Sequence, residues 1–261
     1  MIFLTGHRKS RPEDRYKREQ QEGKEDHHLE RIDKIIASQG QYSRKEVKAL
    51  IAKGRVTLDG RPLTSSSEKA DPAAAQICID GKPLEFKRNL YLMLHKPKGY
   101  VSATEDREHP TVLELVPPEF RGRELFPAGR LDRDTTGLMI ITDDGVLAHN
   151  ILAPKKHVPK LYHVQLDSPI TDEMREGFLE GVRLHDGVCR AAELLRTGTC
   201  TAQVTLREGR YHQIKRMFGC YGAEVVELKR LGMGRLYLPE DLEEGACREL
   251  TPAELALLQE R

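Results

Sequence analysis

GRLDRDTTGLMIITDDG, residues 129–145, sets a polar Gly/Thr-rich loop directly against a continuous apolar run. Residues 138–142 (LMIIT) read as a buried strand, and Asp143-Asp144-Gly145 supplies the turn that ends it. A loop anchored by such a strand can hold a side chain still, which makes Asp132 the lead catalytic candidate. Taken alone, a loop aspartate is more often a turn former or helix cap. The rest of the chain decides between these readings.

With 261 residues the chain exceeds what one small domain needs, so two domains are expected. Hydrophobic content of 38%, no Trp and a mean hydropathy of -0.56 fit a globular protein in water. No apolar run approaches the roughly 20 residues of a membrane helix, so no membrane association is expected. The opening MIFLTG is too short for a signal-peptide core and is followed at once by charge, so the expected compartment is the cytoplasm. The five cysteines, Cys78, Cys189, Cys200, Cys220 and Cys247, are scattered and never in CxxC spacing, which indicates neither a disulfide framework nor a zinc site. His27-His28 lacks the local partners of a metal site, so no metal is expected.

A net charge of +1 argues against a polyanion ligand until its distribution is read. Between Arg31 and Arg61 stand eight basic residues against three acidic ones, among them Arg44, Lys45, Lys48, Lys53 and Arg55. Between Arg207 and Arg235 stand seven against three, including Arg210, Lys215 and Arg216. Two separate positive islands point to a polyanion touched twice.

The first 28 residues are charged and lack apolar periodicity, as expected of a disordered tail. Ile32, Ile35 and Ile36 have helical spacing, with Gly40 as a stop. Ser43 and Glu46 form a capping-box pattern for a second helix whose apolar face is Val47, Leu50 and Ile51 and whose end is Gly54. Arg44, Lys45 and Lys48 fall on its other surface. Such residues on a single helix more often serve only solvation. Two short strands then each run into an Asp-Gly turn, at Asp59-Gly60 and Asp80-Gly81, a hairpin signal. Further strands are expected at residues 91–95 and 202–206, helices at 173–180 and 252–259, and a turn at Lys96-Pro97-Lys98-Gly99.

RIDKIIASQGQYSRKEVKALIAKGRVTLDGRPL, residues 31–63, resembles the alpha-L type RNA-binding domain first named for a small-subunit ribosomal protein. That resemblance implies structured RNA held through phosphates and shape. KPKGYVSAT, GRLDRDTTGLMIITDDG, KLYHVQL and EGRYHQIKRMF, in that order, resemble the RNA pseudouridine synthases of the RsuA-like branch that acts on small-subunit ribosomal RNA. The fold then implied is α+β, with a charged tail at 1–28, a small N-terminal RNA-binding module at 29–88, and a mainly antiparallel mixed-sheet catalytic domain flanked by helices at 89–261.

The activity implied is isomerisation of one uridine to pseudouridine in ribosomal RNA, by base flipping and carboxylate-dependent cleavage and re-formation of the glycosidic bond. Asp132 matches the family's catalytic aspartate and Tyr162 its base-contacting tyrosine; Lys215 stands where many relatives carry the arginine that pairs with the aspartate, with Arg216 as the fallback. Arg130 matches the position that fills the gap left by a flipped nucleotide. No cofactor or metal is implied. The partner is ribosomal RNA, free or within a partly assembled small subunit, and the enzyme is expected to be a monomer. Two rivals fit less well: a non-catalytic ribosome-assembly factor, against which the presence of Asp132, Tyr162 and Lys215 argues, and a glycosidase in which Asp134 would supply the second carboxylate, which the two basic islands fit poorly.

Overall fold

A computed structural model of the chain describes residues 29–153 and 158–260. The tail expected at 1–28 and the pair His27-His28 lie outside the described residues. Two compact units are present, one made of described residues up to Ala37 together with Arg44–Phe86, the other of Ser38–Ser43 and Lys87 onward.

The smaller unit begins with helices α1 (Ile32–Ser38) and α2 (Arg44–Ala52). Their buried residues are Ile32, Ile35, Ile36, Val47, Leu50 and Ile51, the apolar stripes that the spacing predicts. Strands β1 (Val56–Leu58), β2 (Arg61–Pro62), β3 (Ile77–Ile79) and β4 (Lys82–Pro83) form an antiparallel sheet in the order β2-β1-β3-β4. Both Asp-Gly turns have two successive residues at positive φ: Asp59 at 48° with Gly60 at 81°, and Asp80 at 53° with Gly81 at 74°. Positive φ at both central positions matches the twist of a two-residue hairpin, and Asp-Gly tolerates it.

In the larger unit the path runs β5 (Tyr91–Lys96), β6 (Thr136–Thr142), α3 (Gly145–Leu152), β7 (Lys160–Leu166), α4 (Asp172–Glu180), β8 (Glu193–Arg196), β9 (Thr201–Leu206), α5 (Gln213–Gly219), β10 (Val225–Met233), β11 (Cys247–Glu249) and α6 (Pro252–Gln259). The strands form one sheet in the order β8-β9-β7-β10-β6-β5-β11, joined at its sides by the short strands Phe126–Pro127 and Leu236–Tyr237. Only the β6–β10 pair is parallel; the others are antiparallel. The class is therefore α+β with a mixed, mainly antiparallel sheet.

All seven residues of β6 are buried because both faces of the sheet are covered. Met139 and Ile141 join a core with Phe178 of α4 and Ile214, Met217 and Phe218 of α5. Leu138 and Ile140 join a second core with Leu147 and Ile151 of α3 and Leu258 of α6. The turn expected at Asp143-Asp144-Gly145 is also a helix start: Asp144 accepts hydrogen bonds from the amides of Val146 and Leu147, each at 2.9 Å, and caps α3.

Candidate active site

Asp132 lies on the loop that enters β6, and neighbouring segments hold that loop on several sides. Ser102 Oγ donates to the Leu131 carbonyl at 2.8 Å and accepts from the Leu131 amide at 3.0 Å. The Gly99 amide donates to the Arg133 carbonyl at 2.8 Å, and the Thr135 amide closes a turn onto the Asp132 carbonyl at 3.1 Å. Lys96, fully buried, donates from Nζ to the carbonyls of Thr135 (2.8 Å), Pro97 (3.0 Å) and Arg133 (3.3 Å). Burial pulls the Lys96 ammonium down to about 8, against the opposing pull of Asp134 and Asp132. The turn expected from Lys96 to Gly99 falls at Lys98-Gly99, because Lys96 is the last residue of β5, and that buried Lys96 also braces the Asp132 loop.

Strand register builds the floor of the site. Lys96 stands opposite Gly137, Gly137 opposite Arg230, and Arg230 opposite Tyr162, a row across β5, β6, β10 and β7. Gly137 has φ of 107°, and a Cβ there would lie 2.2 Å from the Arg230 carbonyl oxygen. Only glycine lets the two backbones approach this closely. Arg230 is 1% exposed and donates from Nε to the Leu138 carbonyl at 2.6 Å; burial pulls its guanidinium below its ordinary range, and the neighbouring Tyr162 phenol opposes that pull.

An open cleft of about 1330 Å³ lies over this floor, and Asp132, Tyr162, Arg230, Lys160 and Arg130 all line it. Asp132 is partly accessible, its side chain 29% exposed. Tyr162 is mostly buried and Arg130 is exposed. Lys160, next but one to Tyr162 on β7, is pulled down to about 8 by burial first and by Arg230 second. Thr135 also lines the cleft, its hydroxyl buried and without a hydrogen-bond partner among the described residues.

The expected Lys215–Asp132 pair is not the one formed. Lys215 Nζ contacts Asp134 Oδ2, and its hydrogen bond and charge outweigh burial to hold the Asp134 carboxyl below its usual range. The fallback fails as well, since Arg216 pairs with Asp186 at 3.1 Å. The reason is the turn at residues 132–135, which leaves Asp134 exposed and within reach of α5 while Asp132 faces the cleft. His212 instead meets Asp132, Nε2 to Oδ1, at 3.5 Å. Arg210 lines the cleft, but its guanidinium donates to the carbonyls of Val188 (2.6 Å) and Gly187 (3.2 Å) and pairs with Glu208 at 3.4 Å.

In the smaller unit Arg31 forms a two-bond fork with Asp33, and Arg55 does so with Asp80. These guanidiniums hold both carboxyls below their usual range. Arg44, Lys45, Lys48 and Lys53 are exposed. Sequence reasoning missed Lys96, Lys160, His212 and Arg230 as site residues. The first three lie inside or beside quoted motifs, whereas Arg230 carries no local signal. Among the described residues no group of three or more His, Cys, Asp or Glu could hold a metal ion, and no helix is long and apolar enough to cross a membrane.

Comparison with known proteins adds independent findings. Residues 90–219 match the family described as RNA pseudouridylate synthase, and residues 30–75 match the S4 domain. An uncharacterized RNA pseudouridine synthase of Bacillus subtilis (strain 168) is 45% identical over 235 residues, covering 88% of this chain and 98% of the relative. Ribosomal small subunit pseudouridine synthase A of Escherichia coli (strain K12) is 42% identical over 229 residues, covering 87% and 98%. A crystal structure of a pseudouridylate synthase superposes with a TM-score of 0.63 at 35% identity, covering 87% of this chain and 99% of that one.

Proposed function

The chain belongs to the RNA pseudouridylate synthase family, and from that premise we propose that it isomerises a specific uridine of small-subunit ribosomal RNA. The observation that carries this reading is Asp132 and Tyr162 lining one open cleft. The uridine leaves its helix and enters the cleft, which costs a few kcal/mol and is cheapest where the base is unpaired. Arg130, exposed at the cleft, takes the space that the base vacates. Tyr162 lies against the pyrimidine, where an aromatic ring is worth roughly 1–3 kcal/mol.

The N1–C1′ bond breaks, the base turns, C5 bonds to C1′, C5 gives up its proton and N1 takes one up, so the product is an isomer of the starting nucleoside. No water and no redox partner enters the balance. The charged carboxylate of Asp132 opposes the positive character that develops on the ribose. Lys96, Ser102 and the Lys215–Asp134 contact hold its loop still, so little reorganisation is needed as charge develops.

The glycosidase alternative needs a second carboxyl that can give a proton. Asp134 is 65% exposed, held below its usual range, and outside the cleft lining, which disfavours that role. The test is pseudouridine mapping of unmodified small-subunit RNA, presented both as a free transcript and within a partly assembled subunit, after incubation with the protein. Wild type converts one uridine, and Asp132→Asn converts none while its RNA affinity stays within about threefold of wild type. An equally active Asp132→Asn defeats the mechanism, and no product with either protein supports a binding-only assembly factor.

A further inference from the structure

His212 is a non-glycine residue in the left-handed conformation, φ 46° and ψ 38°, at the N-terminal boundary of α5. Such a backbone is unfavourable for a residue with a Cβ and persists where the surroundings enforce it. The fold gains little from this side chain: it makes no capping hydrogen bond and stays 37% exposed. Its ring stacks on that of Tyr211, itself 71% exposed, with centroids 3.8 Å apart and planes at 18°. In that pose Nε2 faces Asp132 Oδ1 at 3.5 Å, and both residues line the cleft. Of the neighbouring cations, Lys215 and Arg216 are engaged by Asp134 and Asp186, and Lys96 by three backbone carbonyls.

Building on the proposed uridine isomerisation, we infer that His212 is the positioning residue of Asp132, its strained backbone and stacked ring aiming Nε2 at the carboxylate. The 3.5 Å separation is longer than a formed hydrogen bond. Contacts of this kind tighten when substrate fills a site. The imidazole therefore fixes which carboxylate oxygen faces the ribose, and the contribution shows in the reaction step and not in RNA binding.

The test is His212→Gly, because glycine adopts the left-handed conformation without penalty and leaves the ring's space open to solvent. Single-turnover conversion of an unmodified small-subunit RNA transcript is measured at saturating enzyme, with and without imidazole in the buffer. The rate is expected to fall about tenfold or more, the scale of one lost charge-assisted contact in the transition state, with RNA affinity within about threefold of wild type. Added imidazole is expected to restore part of the rate in His212→Gly and to leave wild type unchanged.

A wild-type rate in His212→Gly overturns the inference, and so does a slow variant that imidazole does not rescue. Should the glycine variant not fold, His212→Asn, which also tolerates positive φ, carries the same test; its shorter carboxamide does not span to Asp132, so a wild-type rate there is equally fatal. Wild type and Asp132→Asn run alongside: failure of wild type to convert any uridine defeats the proposed function itself, whereas failure confined to the His212 prediction defeats only this inference.

Discussion

Lys96 Nζ carries three hydrogens as an ammonium and meets three carbonyls, so protonation matches donors to acceptors. Its folded value of about 8 lies below the roughly 10.4 of an unfolded lysine. Between these values the unfolded chain binds the extra proton, so stability rises with pH across that window. Urea unfolding of wild type and Lys96→Met should therefore give a stability difference that grows in favour of wild type from about pH 8 to 10.4; a flat difference contradicts the assignment. Lys160, also near 8, is present in both proteins and cancels. At Gly137 the constraint is steric. A methyl group would meet the Arg230 carbonyl in a backbone conformation that alanine resists, so Gly137→Ala should cost at least about 2 kcal/mol, measured by chemical denaturation. The candidate aspartate was legible from its loop, and its neighbours were not: nothing local distinguishes Lys215 on Asp134 from Lys215 on Asp132.

Among the elements, α3 shows how one short motif can serve two purposes. Asp143-Asp144-Gly145 ends a strand, and Asp144 also caps the helix and accepts from the Tyr91 hydroxyl at 2.8 Å. Burial first, then Asp144, pushes the Tyr91 phenol up to about 12. Asp144→Ala should lose about 1–3 kcal/mol, a cap plus the partner of a half-buried hydroxyl. Combined with Tyr91→Phe the losses should fall short of additive by roughly 0.5 kcal/mol or more, and simple additivity in thermal or urea unfolding would show that the two groups are not coupled. Helices α1, α2, α4 and α6 and strands β1, β3, β5, β6 and β9 were legible because their signals are periodic and local. The start of α3 was not, since a strand-ending turn and a helix cap use the same residue types.

For the whole molecule, each unit has its own buried core, and each carries one of the basic islands. On the proposed function the smaller unit holds RNA through phosphates while the cleft performs the reaction, so binding and chemistry should separate by mutation. Lys45→Glu with Lys48→Glu, on the exposed face of α2, should weaken RNA binding and reduce the steepness of its salt dependence by roughly one to two. Conversion at saturating enzyme should stay within about twofold of wild type, and a loss of rate there would refute the division of labour. Arg31 and Arg55 are weaker choices, because Asp33 and Asp80 already occupy them. What the sequence determined by itself was local: the apolar stripes, the Asp-Gly turns, the basic islands, and a polar loop carrying Asp132 ahead of a buried strand. Tertiary structure alone decided the company that aspartate keeps. Register across β5, β6, β10 and β7 aligns Lys96, Gly137, Arg230 and Tyr162, and the fold turns His212 towards the carboxylate. The physical reason is that hydrogen-bonded pairing and packing act between residues far apart in the chain, where neither helical nor strand periodicity carries information.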